Sequence, residues 1–96
     1  MVIIAGYALY TDRKQRDANV KAFRDLVERA RAFEGNIGFA ISADSVDPRR
    51  SNLLEVWESA DALDAWRAKA KGPRTGIKPT ERRMRRFDAE DGGPLF

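Results

Sequence analysis

Apolar residues alternate along, or fill both faces of, three stretches of this chain, a fourth stretch is rich in arginine, and in two others apolar residues recur with a helical period. A period of two predicts a strand, and recurrence at intervals of three and four residues predicts a helix. The predicted strands are 2–10, 36–43, 53–57 and 80–88, and the arginine-rich pattern of 80–88 is also compatible with a short helix. The predicted helices are one that begins between 13 and 17 and ends at Gly35, and one from Ser59 to Gly72. The predicted order of elements is therefore βαββαβ.

The third strand leads directly into the second helix, and each carries one of the two tryptophans of the chain. Glu55 and Trp57 share one face of this strand. Ser59 belongs to the residue types that cap helix N-termini, and the helix places Trp66 on its apolar stripe. Gly72 and the proline after it end the helix.

The first strand is apolar on both faces. One face carries Ile3, Ala5, Tyr7 and Leu9, and the other carries Val2, Ile4, Ala8 and Tyr10. An antiparallel sheet with one solvated face alternates apolar and polar residues, so this pattern predicts a sheet that is covered on both sides. Two helices cover one side, and a second copy of the same sheet is the expected cover for the other. We therefore expect a homodimer.

The element order predicts an α+β fold of the ferredoxin-like type. Its protomer has a four-stranded antiparallel sheet with both helices on one face. The 96 residues form one domain, which we place at 1–88, followed by a C-terminal tail at 89–96. The segment 71–79 contains two glycines and two prolines and is predicted to be a mobile loop.

Composition excludes several kinds of chemistry. The chain has no cysteine, so disulfides, thiolate nucleophiles and zinc–thiolate sites are absent. It also has no histidine, which removes the usual acid–base group and the commonest metal and haem ligand. Acid–base chemistry must then use a carboxylate of raised pKa, a tyrosine, a lysine or the acidity of the substrate. No apolar run is long enough for a membrane span and no signal peptide is recognisable, so we expect a cytoplasmic protein without a membrane partner.

Four side chains are candidates for a site, and each has an ordinary structural alternative. Trp57 and Trp66 would line one cavity for a flat aromatic ligand if their faces meet, or they are simply core residues. Glu55 on a buried strand face would have a raised pKa suited to a base, or it forms an ion pair with Arg83 or Arg85. Tyr7 is either a hydroxyl donor to a substrate oxygen or an ordinary strand residue.

Four arginines lie among the five residues from 82 to 86. Such a cluster can neutralise the phosphate groups of a nucleic acid. The ferredoxin-like sheet is also the scaffold of the RNA recognition motif. That motif needs exposed aromatic residues on its central strands and a Lys/Arg-Gly-Phe consensus, and this chain has no such consensus. Nucleic acid is therefore not the favoured partner. Phosphate-binding loops, dinucleotide fingerprints and metal-ligand clusters are also missing.

The string Glu-Val-Trp-Glu-Ser at 55–59, with Ala62-Leu63 and the Glu34-Gly35 turn, resembles the strand-to-helix signature of the antibiotic biosynthesis monooxygenase family. The resemblance implies a dimeric α+β barrel and a monooxygenase that oxidises a phenolic or quinol-type aromatic with dioxygen, without cofactor or metal. Trp57 and Glu55 would then be catalytic. The substrate-binding residues would be Trp66, Tyr7, Arg83 and Arg85, with an arginine stabilising the substrate anion.

The resemblance is incomplete at specific positions. In the branch of the family that forms quinones, Trp57 is kept, whereas an asparagine, a tyrosine and a histidine are replaced here by Leu53, Leu63 and Ser42. The haem-degrading branch shares a tryptophan with Trp66 but needs an axial histidine, which this chain lacks. These departures leave open a second interpretation, a dimeric barrel that binds a small ligand, or acts in stress, without catalysis.

Overall fold

The computed structural model describes all 96 residues and has four strands and three helices. The elements are β1 (Val2–Leu9), α1 (Arg13–Ala22), α2 (Arg24–Arg31), β2 (Asn36–Ala43), β3 (Arg50–Trp57), α3 (Ala60–Lys69) and β4 (Glu81–Asp88). The α+β ferredoxin-like prediction is confirmed. None of the three helices combines the length and the apolarity that a bilayer crossing requires.

The four strands form one antiparallel sheet in the order β2-β3-β1-β4. The register fixes what each face carries: Trp57 of β3 lies opposite Val2, and Tyr7 of β1 lies opposite Arg83 of β4. One face is covered by the helices, and we call it the helix-side face. The opposite face has no cover within the protomer, and we call it the open face.

The single first helix of the sequence prediction is two helices, α1 and α2, which meet at Phe23. Phe23 keeps a right-handed helical backbone, so the break is a kink in one crossover. The two halves bury different kinds of residue: α1 buries Arg16 and Asn19, whereas α2 buries an apolar set, Leu26, Val27 and Ala30. The Arg16 guanidinium donates to the backbone carbonyl of Arg50 at 3.0 Å, which ties α1 to the start of β3.

The core lies between the helix-side face and the helices. Its nine buried members are Val2, Ile4, Leu26, Val27, Ala30, Phe39, Trp57, Leu63 and Trp66. The predicted cap of the second helix is confirmed, because Ser59 accepts a hydrogen bond from the Ala62 backbone N–H at 3.1 Å.

The β2–β3 hairpin turn is organised by one carboxylate. Asp44 accepts hydrogen bonds from the backbone N–H groups of Asp47 and Val46 and from the Asn52 side chain, at 2.8, 3.1 and 2.8 Å. These donors, with the charge of Arg50, lower its pKa to about 2. The turn therefore holds the ends of β2 and β3 in register.

The segment 71–79 belongs to no helix or strand, as predicted, and runs across the helix-side face. We call it the strap. The Arg29 guanidinium donates to the Lys71 carbonyl at 3.1 Å where the strap begins. Just after it ends, the Thr80 backbone N–H donates to the Leu9 carbonyl at 2.8 Å.

Candidate functional site

The two tryptophans pack together inside the core. Trp57 is fully buried and Trp66 nearly so, and their rings stack with centroids 5.9 Å apart and an interplanar angle of 26°. Phe33 packs edge-on against both rings, with centroids 6.3 and 5.4 Å away. Such offset-stacked and edge-to-face arrangements are the favoured geometries of aromatic side chains. The pair meets as the sequence suggested, but it lines neither of the two main cavities of the protein.

Glu55 lies on the helix-side face beside the tryptophans. Its carboxylate accepts a hydrogen bond from the Trp57 indole N–H at 3.1 Å. Burial raises the pKa of Glu55, and the Trp57 hydrogen bond and the Arg67 charge oppose this rise. The raised pKa expected of a buried carboxylate is therefore present. The alternative ion pair with Arg83 or Arg85 is wrong, because both arginines lie on the other side of the sheet.

Tyr7, Arg83 and Arg85 lie on the open face. The Tyr7 hydroxyl donates to the Glu81 carboxylate at 3.2 Å, and the Arg50 guanidinium sits 4.2 Å above its ring. The six predicted site residues are thus divided by the sheet, with the tryptophans and Glu55 on one side and these three on the other. Within one protomer the two groups do not form a single site.

The larger of the two main cavities lies between the helix-side face, α1 and the strap, and we call it the strap cavity. Its volume is about 460 Å³, which is within the range of small-molecule sites. Most of its wall is apolar and comes from Phe23, Ile41, Leu53, Pro73, Ile77, Pro79 and Met84. The floor includes Ala8, which is nearly fully buried and lies opposite Ser51 on one neighbouring strand and Arg82 on the other. The small side chain of Ala8 leaves room for the cavity.

A buried hydrogen-bonded pair faces this cavity at its α1 side. The Asn19 side-chain N–H donates to the Tyr10 hydroxyl oxygen at 2.7 Å, and both residues are at most 7% exposed. Because the Tyr10 oxygen accepts from Asn19, its own O–H proton is free to donate, and it has no acceptor within the protein. A hydrogen bond received by a hydroxyl strengthens the one it gives. The pair therefore offers a fixed donor to an oxygen atom of a ligand.

Three further polar side chains line the strap cavity, namely Ser51, Thr75 and Arg82. Ser51 is a buried residue, and its hydroxyl makes no hydrogen bond within the protein. Every side-chain polar atom that is fully shielded from solvent has a hydrogen-bond partner, so the Ser51 hydroxyl is not one of the shielded atoms. The hydroxyl is therefore accessible from the cavity. Arg82 supplies the only charge in the lining and takes part in no ion pair. No group of three or more carboxylates is placed to hold a metal ion.

Sequence reasoning did not single out Tyr10, Asn19, Ser51 or Arg82 as site residues. The sequence does contain a pattern that marks Asn19. Positions 19 and 16 precede Phe23 at helical spacing, so they fall on the inward-facing stripe of the first crossover. A polar residue on an inward stripe needs a partner, which indicates a site or a buried network. No comparable pattern marks Arg82, because strand alternation alone does not say which face is covered.

The ferredoxin-like protomer, with a cavity between its sheet and helices, places this chain in the class of small α+β domains. The sequence identifies the family within this class. Residues 1–71 match the antibiotic biosynthesis monooxygenase family, and the chain belongs to it. The family prediction is confirmed.

Solved structures agree on the fold. A proposed antibiotic biosynthesis monooxygenase from Deinococcus radiodurans superposes with a TM-score of 0.77 at 16% identity, over 100% of this chain and 99% of that one. A second one, from Nitrosomonas europaea, gives 0.71 at 22% identity, with both chains fully covered. A conserved protein from Methanosarcina mazei gives 0.73 at 12% identity, over 93% and 92% of the two chains. No curated protein matches the sequence.

Proposed function

We propose that this protein is a monooxygenase that oxidises a phenolic or quinol-type aromatic with dioxygen in the strap cavity, without a flavin or metal. Membership of the monooxygenase family supports the reaction type. The Tyr10–Asn19 pair supports the strap cavity as the place of the reaction, because it presents a hydroxyl donor to a mostly apolar cavity of about 460 Å³. Apolar walls with a few placed polar groups are typical of sites for small organic ligands.

In this proposal the Tyr10 hydroxyl donates to the oxygen of the substrate and stabilises its anion. The substrate releases a proton to solvent, and the resulting electron-rich carbanion transfers one electron to dioxygen. Combination of the two radicals forms a carbon–oxygen bond, and protonation gives a hydroperoxide. Loss of water then breaks the oxygen–oxygen bond and leaves a carbonyl group. One oxygen atom thus enters the product and the other becomes water, while the substrate CH₂ group is oxidised to C=O.

Trp57 and Glu55 stand behind this cavity and not in its wall. Along β3 they follow Leu53, the last wall residue of the strand, on the same face. We keep the predicted catalytic roles of both as proposals. Their contacts support an indirect contribution, in which the stacked tryptophans hold β3 and α3 in place.

The test is dioxygen uptake with a panel of anthrones, naphthols and hydroquinones, corrected for autoxidation without protein. The chain has two tyrosines, so Tyr10→Phe and Tyr7→Phe form a matched pair. We expect Tyr10→Phe to lower kcat/KM about a hundredfold, as the loss of one oxyanion donor does, and Tyr7→Phe to have no effect. The opposite result would place the reaction on the open face and overturn the strap cavity as the site.

We also propose that the protein is a homodimer that pairs through its open face. This face carries an apolar half built from Ile3, Ala5, Ala40, Leu54, Val56 and Phe87. Leu54 and Phe87 are 45% and 49% exposed in the protomer, which is costly for large side chains in water. Light scattering tests this directly. We expect a dimer for the wild type and a monomer for Leu54→Asp, whereas a monomeric wild type contradicts the proposal.

The second candidate function is a barrel that binds a small aromatic ligand without catalysis. It is favoured by Leu53, which lines the cavity at the position where the quinone-forming branch of the family has an asparagine. A quinone that quenches tryptophan fluorescence saturably, together with no dioxygen uptake across the panel, would support this candidate over the monooxygenase.

A further inference from the structure

The charge of this chain is concentrated in one segment. Residues 67–86 contain nine lysines and arginines and one acidic residue, Glu81, whereas the rest of the chain contains nine basic and fourteen acidic residues. We call 67–86 the cationic segment. It comprises the end of α3, the strap and most of β4. The net charge of +3 is therefore the sum of a strongly positive cationic segment and a remainder of the chain that is net negative.

The cationic segment forms one side of the strap cavity. Along the strap the residues alternate, so that Pro73, Thr75, Ile77 and Pro79 line the cavity while the basic residues between them are exposed. Arg82 then brings a positive charge into the lining itself. A cleft with walls of low dielectric and charge of one sign focuses the field and concentrates ligands of the opposite sign.

Arg82 is placed where its guanidinium can contact an anion bound in the strap cavity. It lies on the helix-side face next to Ala8 of the cavity floor, and its side chain makes neither an ion pair nor a hydrogen bond within the protein. No acidic residue lines the cavity to neutralise it. An arginine guanidinium matches a carboxylate with two parallel hydrogen bonds. The segment beyond residue 71 lies outside the part that matches the family.

We propose that the strap cavity takes an aromatic carboxylate, with the acid group on Arg82 and the ring among the apolar wall residues. The inference rests on the proposed function only in treating the strap cavity as the substrate site. A carboxylate at Arg82 leaves the Tyr10 hydroxyl for a second oxygen of the ligand, which specifies a hydroxylated aromatic acid. The cationic rim attracts such a monoanion, whereas a neutral phenol gains nothing from it.

The probes are 1-hydroxy-2-naphthoate and its methyl ester, titrated by calorimetry in the absence of dioxygen. The two differ in one charge, so their affinity ratio measures the contribution of the anion contact. A charge-assisted hydrogen bond gives about a tenfold to a hundredfold preference for the acid. We expect the wild type to show this preference and Arg82→Gln to lose it, with the affinity for the ester unchanged.

Arg83→Gln is the matched control, because it removes the same charge from the neighbouring residue, which lies on the open face opposite Tyr7. We expect it to keep the preference for the acid. Ala8→Leu fills the cavity floor and is expected to weaken acid and ester alike. An equal loss in the Arg82 and Arg83 variants would show a diffuse field without a site and would overturn the proposal.

Three other results also overturn it: equal affinity for acid and ester, no binding of either up to their solubility, or no effect of Ala8→Leu. Tight binding of a single-stranded oligonucleotide that is insensitive to Ala8→Leu would assign the cationic segment to nucleic acid instead. Failure of the proposed function is distinguishable, because the titrations contain no dioxygen. Acid-selective binding without later uptake contradicts the oxygenase alone, and uptake with neutral phenols but no acid preference contradicts this inference alone.

Discussion

Replacing Trp57 tests whether it is a core residue or the wall of a site. Its side chain is fully buried, stacks on Trp66 and contacts Phe33 edge-on. Truncation of a buried tryptophan to alanine costs about 3–5 kcal/mol of unfolding free energy, through lost transfer energy and the cavity left behind. Each lost aromatic pair adds roughly 0.5–1.5 kcal/mol. Since domains are stable by about 5–15 kcal/mol in total, we expect Trp57→Ala to be close to unfolding at room temperature.

The assay is urea unfolding followed by circular dichroism, with Trp57→Phe as the second variant. Phenylalanine keeps most of the buried area but removes the indole N–H that donates to Glu55 at 3.1 Å. An unsatisfied buried acceptor costs about 1–3 kcal/mol, so this variant is expected to fold. A loss below about 1 kcal/mol for Trp57→Ala, the size of an ordinary substitution, would refute the core placement. A fall in turnover of Trp57→Phe at unchanged ligand affinity would support the predicted catalytic role.

The remaining predictions concern Glu55 and a glycine of β1. Burial raises the pKa of Glu55, so the folded state holds its proton more tightly than the unfolded state, and stability falls as the pH rises above the unfolded value of about 4.5. We therefore expect Glu55→Gln to raise the thermal midpoint at pH 8 but not at pH 4, and an equal gain at both would contradict this cause. A Cβ at Gly6 would overlap the Arg83 carbonyl oxygen of β4, so Gly6→Ala is expected to cost about 1–3 kcal/mol in urea unfolding. The control is Gly38→Ala, where a Cβ meets nothing within 4 Å, and equal losses in both would refute the steric explanation.

The fold could be predicted because its elements have clear local signals. The alternation of β2 gives its bounds, Asn36–Ala43, as the structure has them, and Ser59 caps α3 as expected. The kink at Phe23 was not predictable from apolar spacing, since the stripe continues through it. It depends on what each half contacts: α1 meets the hairpin through the Arg16 guanidinium, and α2 meets the core.

The site was less predictable, because its residues are brought together by tertiary contacts. The sequence places Tyr10 and Asn19 in separate elements, and only the packing of α1 on the sheet brings their side chains to 2.7 Å. Arg82 and Arg83 are adjacent in the sequence and alike in chemistry, yet the register of β4 sends them to opposite faces. Strand alternation predicts this separation but not which of the two meets the cavity.

The departures from the quinone-forming branch fall in three different environments. Leu63 is fully buried in the core, Ser42 is exposed on the open side of the edge strand β2, and Leu53 alone lines the strap cavity. Only at Leu53, therefore, does an apolar residue replace a polar one where a ligand would touch it. The polar groups of this cavity come instead from Tyr10, Asn19, Ser51, Thr75 and Arg82. In the proposed reaction the substrate oxygen binds the Tyr10 hydroxyl and not a side chain at position 53. The binding orientation of the substrate, and with it the carbon atom that meets dioxygen, would differ from that of relatives that keep the asparagine.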